Sequence, residues 1–141
     1  LEKLTELGAT RFVPLLTERS VVRPKDGQVE KWERAVIEAS KQCGRNRLMA
    51  VDPPQPWDRF LTRPDLPPAR LVLHTAGDAV RVRVRDADAG GGVVAAVGPE
   101  GGFTDAEVAA AVAAGWRPAT LGRRVLRVET AAAAAVAVLS S

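Results

Sequence analysis

The chain has 141 residues, 46% hydrophobic and 26% charged, with a formal net charge of +3. That length supports one domain with a real core, and the balance is ordinary for a globular protein. No apolar run approaches the length that spans a bilayer, which excludes a hydrophobic spanning helix, and the single Cys43 excludes an internal disulfide.

The positive excess is uneven. Residues 1–70 carry thirteen Lys/Arg against ten Asp/Glu, whereas residues 71–141 carry seven of each. A modest positive field in the first half favours a polyanionic partner. One cysteine fits a reducing compartment, and residues 1–10 read as a truncated helix rather than a leader, so a cytoplasmic location is expected.

In chain order, residues 11–16 read as a first strand and 17–27 as a polar loop, with Arg19, Arg23 and Lys25 at the strand's carboxyl end. Residues 28–43 form the clearest helix, because Val29, Trp32, Val36, Ala39 and Cys43 fall 3, 4, 3 and 4 residues apart on one apolar stripe. The stripe places Cys43 and Trp32 in the packing, and Glu30 and Arg34 stand at i,i+4. Gly44 ends the helix. Lys41, Gln42, Arg45 and Arg47 surround that end, where cations also complement the helix dipole. Residues 48–51 could be a short strand. Pro53-Pro54-Gln55-Pro56 breaks regular structure, and residues 57–61 could start a short helix.

Residues 70–74 form a strand ending on His74, the only histidine, which either lines a site or moves a proton. Residues 79–85 alternate Val and Arg, as an exposed edge strand or an irregular arm would. After the joint Gly90-Gly91-Gly92, residues 93–97 read as a buried strand that Gly98-Pro99 ends. Thr104-x-x-Glu107 is a capping box that opens a helix. The order then repeats: an apolar stretch to Leu121, then Gly122, an arginine-rich turn, and an alanine-rich helix from about Glu129. Trp116, like Trp32, reads as a packing residue.

Strands alternating with helices predict an α/β protein with a parallel sheet flanked by helices. Two strand-loop-helix loops side by side make a small-molecule site at the carboxyl ends of such a sheet. Gly98, Gly101 and Gly102 let a ligand approach the backbone closely. The loop lacks both Gly-Lys-Ser/Thr and GxGxxG, so a phosphate site is disfavoured. Glu129 in a first helical turn is also what the helix dipole favours. Arg123 and Arg124 face either a polyanionic partner or solvent. No Cys, His or carboxylate cluster stands at metal-ligand spacing, and no Ser-His-Asp or Cys-His set is compelling.

Five segments in order carry a resemblance: Glu6-Leu7-Gly8-Ala9, the PLLTERS run of residues 14–20, Gln42-Cys43-Gly44-Arg45-Asn46, the GPEGGFT run of 98–104, and the LGRRVLRVETA run of 121–131. Together they resemble the RsmE family of ribosomal RNA small-subunit methyltransferases, in the SPOUT superfamily, over essentially the whole chain. The resemblance implies a SPOUT-type domain over residues 1–141 with a C-terminal deep trefoil knot, against the default of an unknotted sheet. It also implies a PUA-like RNA-binding domain that would precede residue 1 and is absent from this chain.

The implied reaction is methylation of N3 of a specific uridine in 16S ribosomal RNA of the small subunit, with S-adenosyl-L-methionine as donor and no metal. The implied cofactor residues are Leu73, His74, Gly98, Pro99, Glu100, Gly101, Gly102, Leu121, Gly122, Val125, Leu126, Arg127 and Thr130. The implied catalytic residues are Arg127, Glu129 and Glu100. A guanidinium at Arg127 would stabilise the uracil anion left when N3 loses its proton. The base is Glu100, Glu129 or a water-mediated route. Arg19, Arg23, Gln42 and Arg45 are the implied RNA contacts. The implied assembly is a homodimer through the knot region, and residues 130–139, nearly all Ala, Val and Leu, are apolar enough to want burial on every side. The alternatives are a related knotted enzyme acting on another RNA, such as tRNA ribose, and a catalytically silent RNA-binding module. A nicotinamide-dependent dehydrogenase stands third, without its fingerprint.

Overall fold

The computed structural model describes residues 1–20, 25–74, 80–83 and 90–140. In chain order they form α1 (Glu2–Leu7), β1 (Arg11–Phe12), β2 (Leu15–Leu16), α2 (Gln28–Cys43), β3 (Ala50–Val51), β4 (Gln55–Pro56), α3 (Trp57–Phe60), β5 (Ala69–Leu73), β6 (Val80–Arg81), β7 (Val93–Ala96), α4 (Asp105–Ala113), β8 (Arg117–Thr120) and α5 (Val128–Leu139). A four-stranded sheet of order β6-β8-β5-β7 is parallel throughout. The protein is thus an α/β structure with parallel strands flanked by helices, as the alternating pattern predicts.

The period-2 alternation of the strands sorts side chains between two layers. Leu71, Ala119 and Val82 pack with Leu73, Val93 and Ala95 against Val138 and Leu139 of α5. Val72 and Ala96 face the other way, into an aromatic core of Trp57, Phe60, Phe103 and Trp116 closed by Ala111 of α4. There Trp57 stacks on Phe103 with ring centroids 4.6 Å apart, and the Trp116 Nε1–H donates to the Leu61 carbonyl at 3.2 Å. Trp116 is therefore a packing residue, and Trp32 also packs, half-buried with its ring edge-on to Phe12.

Residues 11–16 do not form one strand. β1 pairs with β3 and β2 with β4, both parallel, with a break at the buried Pro14. Pro14 has no N–H for a ladder. From Phe12↔Val51 to Leu15↔Gln55, three steps on one strand oppose four on the other, so one residue bulges beside Pro53-Pro54. The proline run that reads as a breaker nevertheless contributes Gln55–Pro56 to that second pairing.

α2 has the predicted bounds, and Gly44 ends it in the left-handed conformation at φ 74°. Cys43 is not in the core: it is exposed on the last turn, past the point where Val36, Ala39 and Ser40 are buried. Among the described residues, the ion pair on this helix joins Lys41 to Glu38, not Glu30 to Arg34. Of the Val/Arg alternation at 79–85, Val80–Arg81 is the edge strand β6, while residues 79, 84 and 85 lie outside the described residues.

Candidate functional site

Parallel strands bring the chain segments that follow β5, β7 and β8 to one pole of the sheet. The two glycine loops meet there. In the first, the Gly102 N–H donates to the Pro99 carbonyl at 2.7 Å, closing a tight turn, with Gly102 at φ 77°. Thr104 then caps α4 through a complete capping box, its hydroxyl accepting from Glu107 N at 3.1 Å and the Glu107 carboxylate accepting from Thr104 N at 2.9 Å. In the second loop, the Thr120 hydroxyl donates to the Gly122 carbonyl at 2.9 Å and accepts from Gly122 N at 3.2 Å. Gly122 sits at φ 137°, which favours glycine.

Between these loops lies a cavity of about 130 Å³, lined by Leu73, His74, Gly98, Pro99, Gly102, Leu121, Gly122 and Leu126 among others. Those eight are sequence-predicted cofactor residues. Glu100, Gly101, Val125, Arg127 and Thr130 do not line it. Val97, Phe103, Ala119, Thr120, Arg124, Val128 and Ala131 do, and the sequence reading missed them. Val128 and Ala131 are one helical turn apart, so the 3.6 period would have found the second from the first.

Arg127 is the N-cap of α5 and is exposed, as are Glu129 and Glu100. Val125 is 87% exposed, so it does not wall the cavity. Arg123 and Arg124 are exposed as well, Arg124 also lining the cavity. Among the described residues no group of His, Cys, Asp or Glu could hold a metal.

A second cavity, about 1110 Å³, runs along the outer edge of β7 beneath β1, β2 and α5 and shares Val97, Gly98, Pro99 and Val128 with the first. It is the larger, but it extends down the strands as far as Leu4 and Ser140. The smaller one alone is framed by both glycine loops at the strand ends, which makes it the candidate ligand site.

The four predicted RNA contacts separate. Arg19 folds over the first glycine loop, its Nη1–H donating to the Gly101 carbonyl at 2.8 Å. Arg45 instead fastens α1: its Nη1 donates to Thr5 O at 2.8 Å and Ala9 O at 2.9 Å. Gln42 and Arg45 precede β3, at the amino end of its pairing with β1. Arg23 lies outside the described residues.

The cavity suits a neutral ring better than a phosphate. Its walls are mostly aliphatic, and glycines leave backbone amides and carbonyls accessible. At about 130 Å³ it is smaller than pockets that enclose a whole ligand of several hundred daltons. It has room to enclose one moiety of such a ligand, with the rest at the loop surface.

Comparison with known proteins agrees with this geometry. A family model described as RNA methyltransferase domain matches residues 1–140. A ribosomal RNA small subunit methyltransferase E from Synechocystis is 36% identical over 140 residues, 97% of this chain and 46% of that protein. A Legionella pneumophila putative methyltransferase, solved with the bound cofactor SAM, superposes with a TM-score of 0.84 at 37% identity, covering 98% of this chain and 57% of that one. A ribosomal RNA small subunit methyltransferase E from Neisseria gonorrhoeae, solved bound to S-adenosyl methionine, gives 0.83 at 35% identity, covering 96% and 56%. The chain spans about half the length of the curated relatives it matches.

Proposed function

We propose, from the premise that this chain belongs to the RNA methyltransferase domain family, that it binds S-adenosyl-L-methionine between its two glycine loops and methylates N3 of a uridine in small-subunit ribosomal RNA. The observation that carries the reading is the cavity at the strand ends, whose lining includes eight of the cofactor residues the sequence implies. Relatives of this architecture have been solved with that cofactor bound.

Leu73, Leu121, Leu126 and Val128 would hold the cofactor's apolar face, and the Gly98, Pro99, Gly102 and Gly122 backbones would read its polar edge. The bound cofactor supplies an electrophilic methyl group. The chain's own task is to orient the base and to help remove the N3 proton. Arg127, exposed beside Leu126, would hold the uracil anion by planar hydrogen bonds. Glu100 or Glu129, or a water between them, would accept the proton.

Several parts of this proposal rest on family likeness. They are the trefoil threading of the C-terminal loops, a preceding RNA-binding domain, a cytoplasmic location and a homodimer. For the dimer there is also a physical reason: only Ala135 of α5 is buried, while Ala131–Ala134 stay half-exposed on a helix without a charge after Glu129. No helix among the described residues is long and apolar enough to cross a membrane.

Transfer of labelled methyl to small ribosomal subunits, followed by mapping of the modified nucleotide, tests the function. Modification at a uridine N3 supports it. Binding of the cofactor without any transfer, even by a chain carrying its natural N-terminal extension, would favour a silent RNA-binding module.

A further inference from the structure

Resting on the cofactor reading above, we infer that Arg19 is a positioning residue for the cofactor loop, bracing it from the side away from the cavity. Arg19 and Gly101 are 82 residues apart in sequence, yet the Arg19 guanidinium donates to the Gly101 carbonyl at 2.8 Å. The contact extends along the side chain. A Cβ at Gly101 would lie 3.3 Å from Arg19 Cδ and 3.5 Å from its Cβ, so the Arg19 side chain packs directly against the bare Cα at 101.

The arm that carries Arg19 is itself held at both ends. Thr17 and Ser20 close a turn, with Thr17 N donating to Ser20 Oγ at 3.1 Å and Ser20 N to Thr17 O at 3.2 Å. Glu18 N donates to Glu107 Oε2 at 3.1 Å, while Glu107 Oε1 accepts from Thr104 N at 2.9 Å. One carboxylate therefore ties the Arg19 arm to the helix cap that ends the glycine loop. Both carboxylate oxygens are committed to N–H donors.

The geometry separates bracing from direct contact. Gly98, Pro99 and Gly102 line the cavity, whereas Arg19, Glu100 and Gly101 do not. Arg19 grips the outer arc of the turn whose inner arc faces the ligand. Its effect on the cofactor passes through the loop, and a charged donor on a carbonyl is stronger than a neutral one. Loss of the brace lets the turn sample other shapes, which lowers affinity by the fraction of time the binding shape is lost.

The test uses the chain itself with Arg19→Ala, Arg19→Lys and Glu107→Gln, each checked by thermal denaturation. Hydrogen exchange is measured on the peptide covering residues 98–104, and S-adenosylmethionine is titrated calorimetrically without RNA. Arg19→Ala should speed exchange in that peptide and weaken cofactor binding about tenfold, 1.4 kcal/mol, with little change in melting temperature. Arg19→Lys keeps a donor within reach of the carbonyl and should recover most of both. Glu107→Gln puts an amide against a backbone N–H and should loosen the same peptide.

Unchanged exchange in Arg19→Ala overturns the brace. Faster exchange with unchanged affinity overturns the positioning role, and so does equal impairment of the Ala and Lys variants. If the unsubstituted chain fails to bind the cofactor, the cofactor reading and the positioning role fall with it, while the exchange data still decide whether Arg19 holds the loop.

Discussion

Gly98→Ala probes the site most directly. A Cβ there would lie 3.0 Å from Phe103 N, 3.1 Å from Phe103 Cδ2 and 3.2 Å from Gly102 C. None of these yields easily. Phe103 is 4% exposed and stacked on Trp57, and Gly102 is held by its bond to Pro99. Overpacking of this kind costs about 1–3 kcal/mol. If the loop relieves it by leaving its ligand-competent shape, cofactor affinity falls by about 5- to 150-fold. If the whole domain absorbs it, melting drops by about 2–4 °C per kcal/mol. Titration calorimetry with S-adenosylmethionine, run beside thermal denaturation, separates the two. At Gly101 the nearest atom is the flexible Arg19 Cδ at 3.3 Å, so alanine there is the milder change. Affinity within twofold of the parent and an unshifted melt for Gly98→Ala would refute the assignment of this loop as the cofactor cradle.

Three further outcomes are expected. Arg127→Ala should lower single-turnover methyl transfer by about 10²- to 10³-fold while leaving cofactor affinity nearly intact, and Arg127→Lys should rescue little; equal losses in rate and affinity would make Arg127 a cofactor ligand. The Asp65 carboxyl is held below its usual range, first by its hydrogen bond from Arg63, so the ion-paired form stabilises the fold above the unfolded value of about 3.9 and that contribution is lost as pH falls through the lower folded value. Asp65→Asn should therefore melt earlier than the parent at neutral pH and converge with it in strong acid, and parallel melting curves down to pH 2 would count against this. Ala134→Glu, on the half-exposed face of α5, should yield monomers with reduced transfer; light scattering that finds the parent already monomeric at micromolar concentration would end the dimer proposal.

The local periods of the chain were sufficient for the elements that depend on local physics. The stripe from Val29 to Ala39 sets α2, Thr104 and Glu107 set the start of α4, and the apolar run read as a strand over 70–74 is β5 at Ala69–Leu73. The two glycine loops were legible for the same reason, since tight turns need residues that few other positions tolerate. What only the tertiary structure decided depends on contacts between distant segments. A proline in each of two paired segments broke one expected strand into two, because the missing N–H matters only once a partner strand lies beside it. Cys43 kept its place in the stripe but lost its burial, because α2 outruns the surface that covers it. Arg19 and Arg45 look alike in the sequence as cations beside a motif. The fold gives one to the Gly101 carbonyl and the other to Thr5 and Ala9, and periodicity holds no information about which carbonyl a guanidinium will meet 36 to 82 residues away.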